Sequence, residues 1–253
     1  MLRILLLSRY LLLIVVIIIY STPCLAKMNE IIIATEVWPP FRIADKTSEY
    51  QYSGIDLDLL KEVTKRLNVT FKIKHLPWAR CLDFMKSGKA DIITGLAYTP
   101  ERAQYIRYSA IPYYVASPAF YLQKGKGHLI KKYEDLNHFT IGFSINSAYF
   151  EPFNSDTALK KFGVSTEIQL IKMLANGHID VIIGTDSNVE HDIAKLGLKD
   201  KIEKAHYIPD KKIELYIGIS KNSEFSKRYD ELNRIIKELV ETGSVDKIAE
   251  KYF

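Results

Sequence analysis

Two cysteines in 253 residues, Cys24 and Cys81, are too few to staple a fold. Cys24 falls in an N-terminal segment that reads as removable, so Cys81 has no internal partner and stability must come from packed cores. A hydrophobic content of 47% makes such cores feasible. A dominant charge sign is missing too: 35 Lys and Arg stand against 30 Asp and Glu, for a net charge of +5. The charges are mixed along the chain, which argues against the clustered basic footprint of a nucleic-acid binder. There is no Gly-x-Ser-x-Gly elbow, no phosphate loop and no His pair at metal-ligand spacing, and the six histidines are scattered. Those absences remove the common hydrolase, nucleotide and metal signatures, and no cofactor is expected. Lys124-Gly125-Lys126-Gly127 reads as an exposed turn. No low-complexity segment or Pro/Ser-rich linker divides the chain.

The longest apolar stretch sits at the N-terminus. Arg3 and Arg9 precede an unbroken run from Leu11 to Ile19, and Ser21-Thr22-Pro23-Cys24-Leu25-Ala26 follows. A basic start, an apolar stretch too short to span a bilayer and small residues before a break describe a secretory signal peptide over residues 1–26. Cys24 and Ala26 then sit three and one residues before a cut ahead of Lys27. The competing reading is an uncleaved anchor, because Ile4 to Leu7 extend the apolar stretch. A lipid anchor on Cys24 fits less well, since Ser-Thr-Pro precedes it. Cleavage removes Arg3 and Arg9 and no acid, which lowers the net charge from +5 to +3.

Beyond Lys27 the pattern alternates. Ile31-Ile32-Ile33-Ala34 is a β-branched run that reads as a buried strand, stopped by Trp38-Pro39-Pro40. Gly54 opens a helix whose Ile55, Leu59, Leu60, Val63 and Leu67 share one face, with Asn68 as its stop. Phe71, Ile73 and His75 alternate with lysines as a second strand. A helix follows Pro77 and ends at Gly88, leading into a strand from Ala90 to Thr94. Strand and helix in strict alternation predict a mainly parallel sheet covered by helices. At the far end, Phe225, Tyr229, Leu232, Ile236 and Leu239 form one apolar stripe, Gly243 stops that helix, and Ser244 is expected to cap a last short one.

One segment recurs. Ser87-Gly88-Lys89-Ala90-Asp91-Ile92-Ile93-Thr94-Gly95 returns as Asn176-Gly177-His178-Ile179-Asp180-Val181-Ile182-Ile183-Gly184. The first Gly of each suits a helix C′ position, which often needs a positive φ. The second lets a backbone or ligand approach the strand end closely. Two such units imply two similar α/β lobes, and open α/β sheets bind ligands at the carboxyl ends of their strands. Tyr113 to Leu122 and Ile213 to Ile219 are the best candidates for extended strands joining the lobes.

Taken with Gly54-Ile55-Asp56-Leu57-Asp58-Leu59, Thr99-Pro100-Glu101-Arg102, Tyr108-Ser109-Ala110-Ile111-Pro112-Tyr113-Tyr114 and the ending Val245 to Phe253, the chain resembles bacterial extracellular solute-binding proteins of family 3. That family includes the polar amino-acid binders of ABC transporters. The motifs occur in the family's order across residues 30–253. The resemblance implies an α/β periplasmic binding protein fold of two lobes, each a mainly parallel sheet flanked by helices, joined by two crossover strands and closing on ligand. It places lobe one at 27–115 plus 216–253 and lobe two at 116–215. It further implies a periplasmic monomer that binds a small molecule, an amino acid or related carboxylate, and delivers it to an ABC permease in the inner membrane.

Several residues are candidates for the ligand site. Arg102 lies just past the Gly95 strand end and matches the family's carboxylate-binding Arg, whose planar fork donates two parallel hydrogen bonds; its other reading is a surface pair with Glu101. Trp38 stands where the family often stacks an aromatic on the ligand, or else packs beside Pro39 and Pro40. Trp78 and Arg80 open the helix after Pro77, where a helix N-terminus and a cation suit an anion, or they pack and face solvent. Ser147 matches a Ser/Thr donor position in Thr140 to Ala148, with Asn146 where the family has Gly, and is otherwise a helix N-cap. Asp186 is the candidate partner for an α-ammonium group, one residue later than the resemblance places it, with Thr185 at that position; capping its own helix is the alternative. Glu36 is a second candidate for the ammonium. Ala97 replaces a hydroxyl common in amino-acid binders.

Two other function classes fit the same lobes. Glu36 or Asp186 as a general acid or base would make a dehydratase-like cleft enzyme. Retention of residues 1–26 would instead make a membrane-tethered sensor for a signalling partner.

Overall fold

The computed structural model describes residues 30–252, so the signal-peptide reading falls outside the described residues. The chain opens with β1 (Glu30–Thr35), β2 (Ile43–Ala44), β3 (Tyr52–Ser53), α1 (Ile55–Leu67), β4 (Thr70–His75), α2 (Trp78–Lys86), β5 (Ile92–Leu96) and β6 (Ile106–Tyr108). It continues through β7 (Tyr114–Ala116), β8 (Pro118–Gln123), β9 (Thr140–Ser144), β10 (Lys160–Val164), α3 (Glu167–Ala175), β11 (Val181–Thr185), α4 (Asp186–Lys195) and β12 (Ile202–Lys204). It returns along β13 (Ile213–Ser220) and ends in α5 (Tyr229–Glu241) and α6 (Ser244–Ala249).

These strands form two principal sheets, ordered β4-β1-β5-β13-β6 and β10-β9-β11-β8-β12, each the floor of one lobe. Each contains a parallel trio, β4-β1-β5 in one and β10-β9-β11 in the other. An antiparallel strand then extends each trio: β13 beside β5, and β8 beside β11. The sheets are therefore parallel only on one side, because the strands entering and leaving each lobe join it from the opposite direction. β7 pairs antiparallel with β13, Tyr114 opposite Leu215, where the chain passes between the lobes.

The elements follow from local chemistry. In α1 the apolar face is buried, and Asn68 ends the helix in a left-handed conformation (φ 53°) with its amide bonded back to the last turn. Gly54 at its start is forced, because a Cβ there would stand 2.5 Å from the Phe41 carbonyl oxygen. In the repeat, Gly88 and Gly177 have φ of 70° and 72°. The aspartates of the repeat also play equivalent parts. Asp91 accepts the Ile32 amide at 2.6 Å, and Asp180 accepts the Thr140 amide at 2.9 Å. Each carboxylate thus pins its strand to the neighbouring parallel one.

The C-terminal stripe departs from expectation in two details. Phe225 lies in a separate 3-10 turn, Glu224–Arg228, because the Ser223 hydroxyl accepts its amide at 3.0 Å and starts a turn of its own. Gly243 (φ 67°), rather than Ser244, occupies the cap position of α6, and the Ser244 hydroxyl bonds to that of Thr242 instead.

One buried ion pair ties the first lobe together near the crossover. Asp56, fully buried, accepts from Arg42 Nη1 at 2.7 Å, Thr94 Oγ1 at 2.7 Å and the Tyr113 hydroxyl at 2.6 Å. Arg42 also donates to the Thr94 and Glu36 backbone carbonyls. Removing one member of such a pair leaves the other charge buried and uncompensated. Asp56→Ala is expected to lower unfolding free energy by about 3–5 kcal/mol in equilibrium urea denaturation; a loss below about 1 kcal/mol would show that the network carries little.

Candidate ligand-binding site

The two strand-end glycines of the repeat make room for charged side chains on either side of one cleft. At Gly95 (φ 68°) a Cβ would collide with the Arg42 guanidinium and lie 3.1 Å from the Trp38 ring. At Gly184 it would collide with the Glu167 carboxylate. Between them lies a pocket of about 370 Å³ lined from both lobes. That volume is within the range of small-molecule sites.

From lobe one, the Trp38–Arg42 turn is closed by reciprocal backbone bonds of 2.8 and 2.9 Å. It holds Trp38 stacked on Phe41 at 4.5 Å, with the Arg42 guanidinium 4.9 Å from the Trp38 ring. Phe41 is wholly buried, so it supports the indole and Trp38 presents the surface to the pocket. Glu36 lines the same wall and accepts the amide of Trp78, the first residue of α2, at 3.1 Å. Burial pushes the Glu36 carboxyl up to about 7, against the opposing pull of Arg42 and of the Trp78 amide.

From lobe two come Glu167, Asp192, Asn188, Thr185 and Ser147. Glu167 opens α3, accepts the Thr185 amide, and takes the Trp38 indole N–H from across the cleft. Its carboxyl is held well above the ordinary range by burial and then by the charges of Asp192 and Glu36. The residue keeps some surface of its own, facing the pocket, so the desolvation is that of an enclosed cavity rather than of a packed core. Asp192 is raised mainly by burial, opposed by His191, Lys195 and the Asn188 amide.

The lobes touch through specific hydrogen bonds. The Asn146 carbonyl accepts from Arg102 Nη2 at 2.5 Å and from the Trp78 indole at 3.1 Å. Asn146 has φ 61°, a conformation Asn tolerates better than most residues. Asn188 Nδ2 donates to the Pro39 carbonyl at 2.8 Å. Arg102 is buried, donates to the Ala97 carbonyl at 2.7 Å, and lies 5.7 Å from the Trp78 ring. A larger groove of about 1260 Å³ continues outward past Arg102 and Asn146 between Tyr98, Glu151 and Lys212. The smaller pocket is the candidate site, because the desolvated acids and the donors of both lobes converge there.

The structure brings Arg102, Trp38, Trp78, Ser147 and Glu36 into one pocket lining. Ser147 caps nothing, since no helix follows it; it contacts the Tyr149 hydroxyl. Arg80 is exposed and lies outside the lining. Asp186 is outside it too, bonded to the Tyr121 hydroxyl at 2.8 Å and paired with Lys204 at 2.6 Å. Thr185, one residue earlier, faces the pocket instead. Glu167, Asp192, Asn188 and Arg42 were not among the expected site residues. The repeat carried a signal for one of them: ten residues before Gly88 stands Trp78, and ten before Gly177 stands Glu167.

Residues 31–253 match the family model described as bacterial extracellular solute-binding proteins, family 3. The chain belongs to this family. Its members bind solutes outside the cytoplasm, and membership makes this chain a binding protein rather than an enzyme. It is 24% identical over 234 residues to the L-cystine-binding protein TcyA of Bacillus subtilis, covering 90% of this chain and 82% of that one. Among solved structures, an amino acid ABC transporter substrate-binding protein, AbpA from Streptococcus pneumoniae bound to L-arginine, is similar with a TM-score of 0.76. There the identity is 21%, with coverage of 88% and 94%. A histidine kinase sensor domain with similarity to periplasmic binding proteins matches with a TM-score of 0.79, 14% identity and coverage of 90% and 97%. Both structural likenesses show the two-lobe fold alone. Among the described residues no helix is long and apolar enough to cross a membrane, and no group of three or more His, Cys, Asp or Glu is placed to hold a metal.

The raised Glu36 carboxyl gives the lobe contact a pH dependence. With the lobes together, Glu36 holds its proton up to about pH 7; hydrated in an opened cleft it releases it near the ordinary value of about 4.3. The closed arrangement therefore binds more protons, is favoured at low pH, and loses that advantage as pH rises toward about 7. With no ligand added, the radius of gyration by small-angle X-ray scattering is expected to increase between pH 5 and pH 8. Glu36→Gln is expected to reduce the change without abolishing it, since burial in the same cleft also raises Glu167 and Asp192. An equally large change in that variant would contradict the assignment.

Proposed function

We propose that this chain captures a small amino-bearing carboxylate, an amino acid or close relative, between its lobes and presents it to an ABC permease. The observation that carries the reading is the single pocket in which Arg102 and three desolvated carboxylates are gathered from both lobes. A zwitterion needs both signs: a guanidinium fork for its carboxylate and an acid for its ammonium group. On this reading Arg102 takes the carboxylate, Ser147 adds a hydroxyl donor, Trp38 covers the apolar stem, and an acid of the pocket holds the amine. A ligand that touches both walls only when they meet shifts the equilibrium toward closure, and the permease reads the closed form. The L-cystine-binding relative supports an amino acid as the ligand class.

The reading includes export to the periplasm through cleavage after residue 26, action as a monomer, and no nucleic-acid partner. It takes lobe one as residues 27–115 and 216–253, with lobe two between them.

A thermal-shift screen of the exported protein against amino acids, small carboxylates and amines tests this. Ligand at a hundred times its Kd stabilises the folded state by about 2.7 kcal/mol, which at about 2–4 °C per kcal/mol for this size of chain is a readily measured rise in Tm. The expected result is a rise with one or more amino acids that Arg102→Ala abolishes and Trp38→Ala diminishes. A silent panel, or a rise indifferent to Arg102, would contradict the proposal.

A further inference from the structure

We infer that Glu167, Asp192 and the Asn188 side-chain carbonyl form a cation subsite, so that the ligand carries a second positively charged nitrogen besides its α-amine. The inference rests on the pocket proposed above and specifies what enters it. Three observations carry it, and the first is a mismatch of charge. Glu36, Glu167 and Asp192 line the pocket, and its two cations, Arg42 and Arg102, are already engaged. Arg42 is paired with the buried Asp56, and Arg102 donates to the Ala97 and Asn146 carbonyls. A zwitterion brings one carboxylate for Arg102 and one ammonium for a single acid. The two acids left over keep their protons in the desolvated site, the direction in which burial already shifts Glu167 and Asp192, unless a further cation arrives to pair with their charged forms.

The second observation is independent of the acids. Asn188 is 1% exposed, and its Oδ1 is the buried side-chain polar atom that lacks a hydrogen-bond partner among the described residues. Its orientation is fixed, because Nδ2 donates to the Pro39 carbonyl at 2.8 Å and also faces the Asp192 carboxylate. With the amide nitrogen committed to that side, the amide oxygen is the atom left over. An unsatisfied buried acceptor costs about 1–3 kcal/mol in general and calls for a donor. A donor-rich cation, an ammonium or guanidinium group, satisfies that oxygen and the two carboxylates together.

The third is steric. Gly184 lets the Glu167 carboxylate reach the end of β11, where any Cβ would collide with it. The Trp38 indole and the Thr185 amide hold it there. Glu167 is thereby fixed in the pocket wall, whereas Asp186 is turned away to Lys204.

Titration calorimetry at pH 7.5 separates the outcomes, using L-arginine, L-lysine and L-ornithine as probes against L-citrulline, which has nearly the shape of L-arginine without its side-chain charge. At least one basic probe is expected to bind ten-fold or more tightly than L-citrulline. Glu167→Gln, close to isosteric, is expected to weaken that probe at least ten-fold more than it weakens L-citrulline. Should Glu167→Gln fail to fold by circular dichroism, Asp192→Asn serves the same comparison. L-citrulline or another neutral amino acid binding as tightly as the basic probes, with Arg102→Ala still abolishing binding, would overturn the cation subsite and leave the proposed function standing. Tight binding of a basic probe unaffected in Glu167→Gln and in Asp192→Asn would overturn it as well. No binding by any amino acid would overturn both.

Discussion

Arg42 is held by a carboxylate that solvent does not reach, and much of the site hangs on that pair. Asp56 gathers Arg42, Thr94 and Tyr113 within 2.7 Å. These belong to the turn after β1, the middle of β5 and the approach to the crossover strand β7. Through Arg42 the network fixes the Glu36 carbonyl and the face of the Trp38 ring. A buried pair of this kind contributes little net stability over an apolar substitute, but its geometry admits few alternatives. The geometry of the wall that meets ligand is fixed for that reason.

Both walls of the cleft carry groups that are expensive to enclose. Glu36, Glu167 and Asp192 are all shifted toward the protonated form by burial. Bringing the lobes together therefore costs desolvation, which the cross-cleft bonds to Asn146, Glu167 and Pro39 offset in part. A site so arranged closes fully only when something of complementary charge occupies it, and that differential is what ligand-driven closure requires.

Much of this fold is legible in the amino-acid sequence. The β-branched run of β1, the apolar face of α1 with Asn68 as its stop, and the repeated Gly-to-Gly unit each follow from local propensity and period. Arg102, Trp38, Trp78, Ser147 and Glu36 stand at strand ends or just beyond them, and topology alone gathers such residues at one cleft. What sequence hid has physical reasons. Glu167 reads as an ordinary acid in the first turn of a helix, where the macrodipole favours one anyway. Asn188 and Asp192 fall on a helix face that becomes a pocket wall only when the other lobe meets it. Asp186 shows the reverse: it begins α4 one residue past the pocket-facing Thr185, and that single step turns its side chain toward Tyr121 and Lys204.

The central claim is that one ligand is held simultaneously by both lobes within the pocket bounded by Trp38, Arg102 and Glu167. Its most direct test is a crystal structure of the protein with the tightest-binding compound from a ligand screen. The account predicts electron density in that pocket, within hydrogen-bonding distance of Arg102 on one side and of a lobe-two acid on the other. Density on a single lobe, or in the outer groove beside Tyr98 and Lys212 with the pocket unchanged, would contradict it.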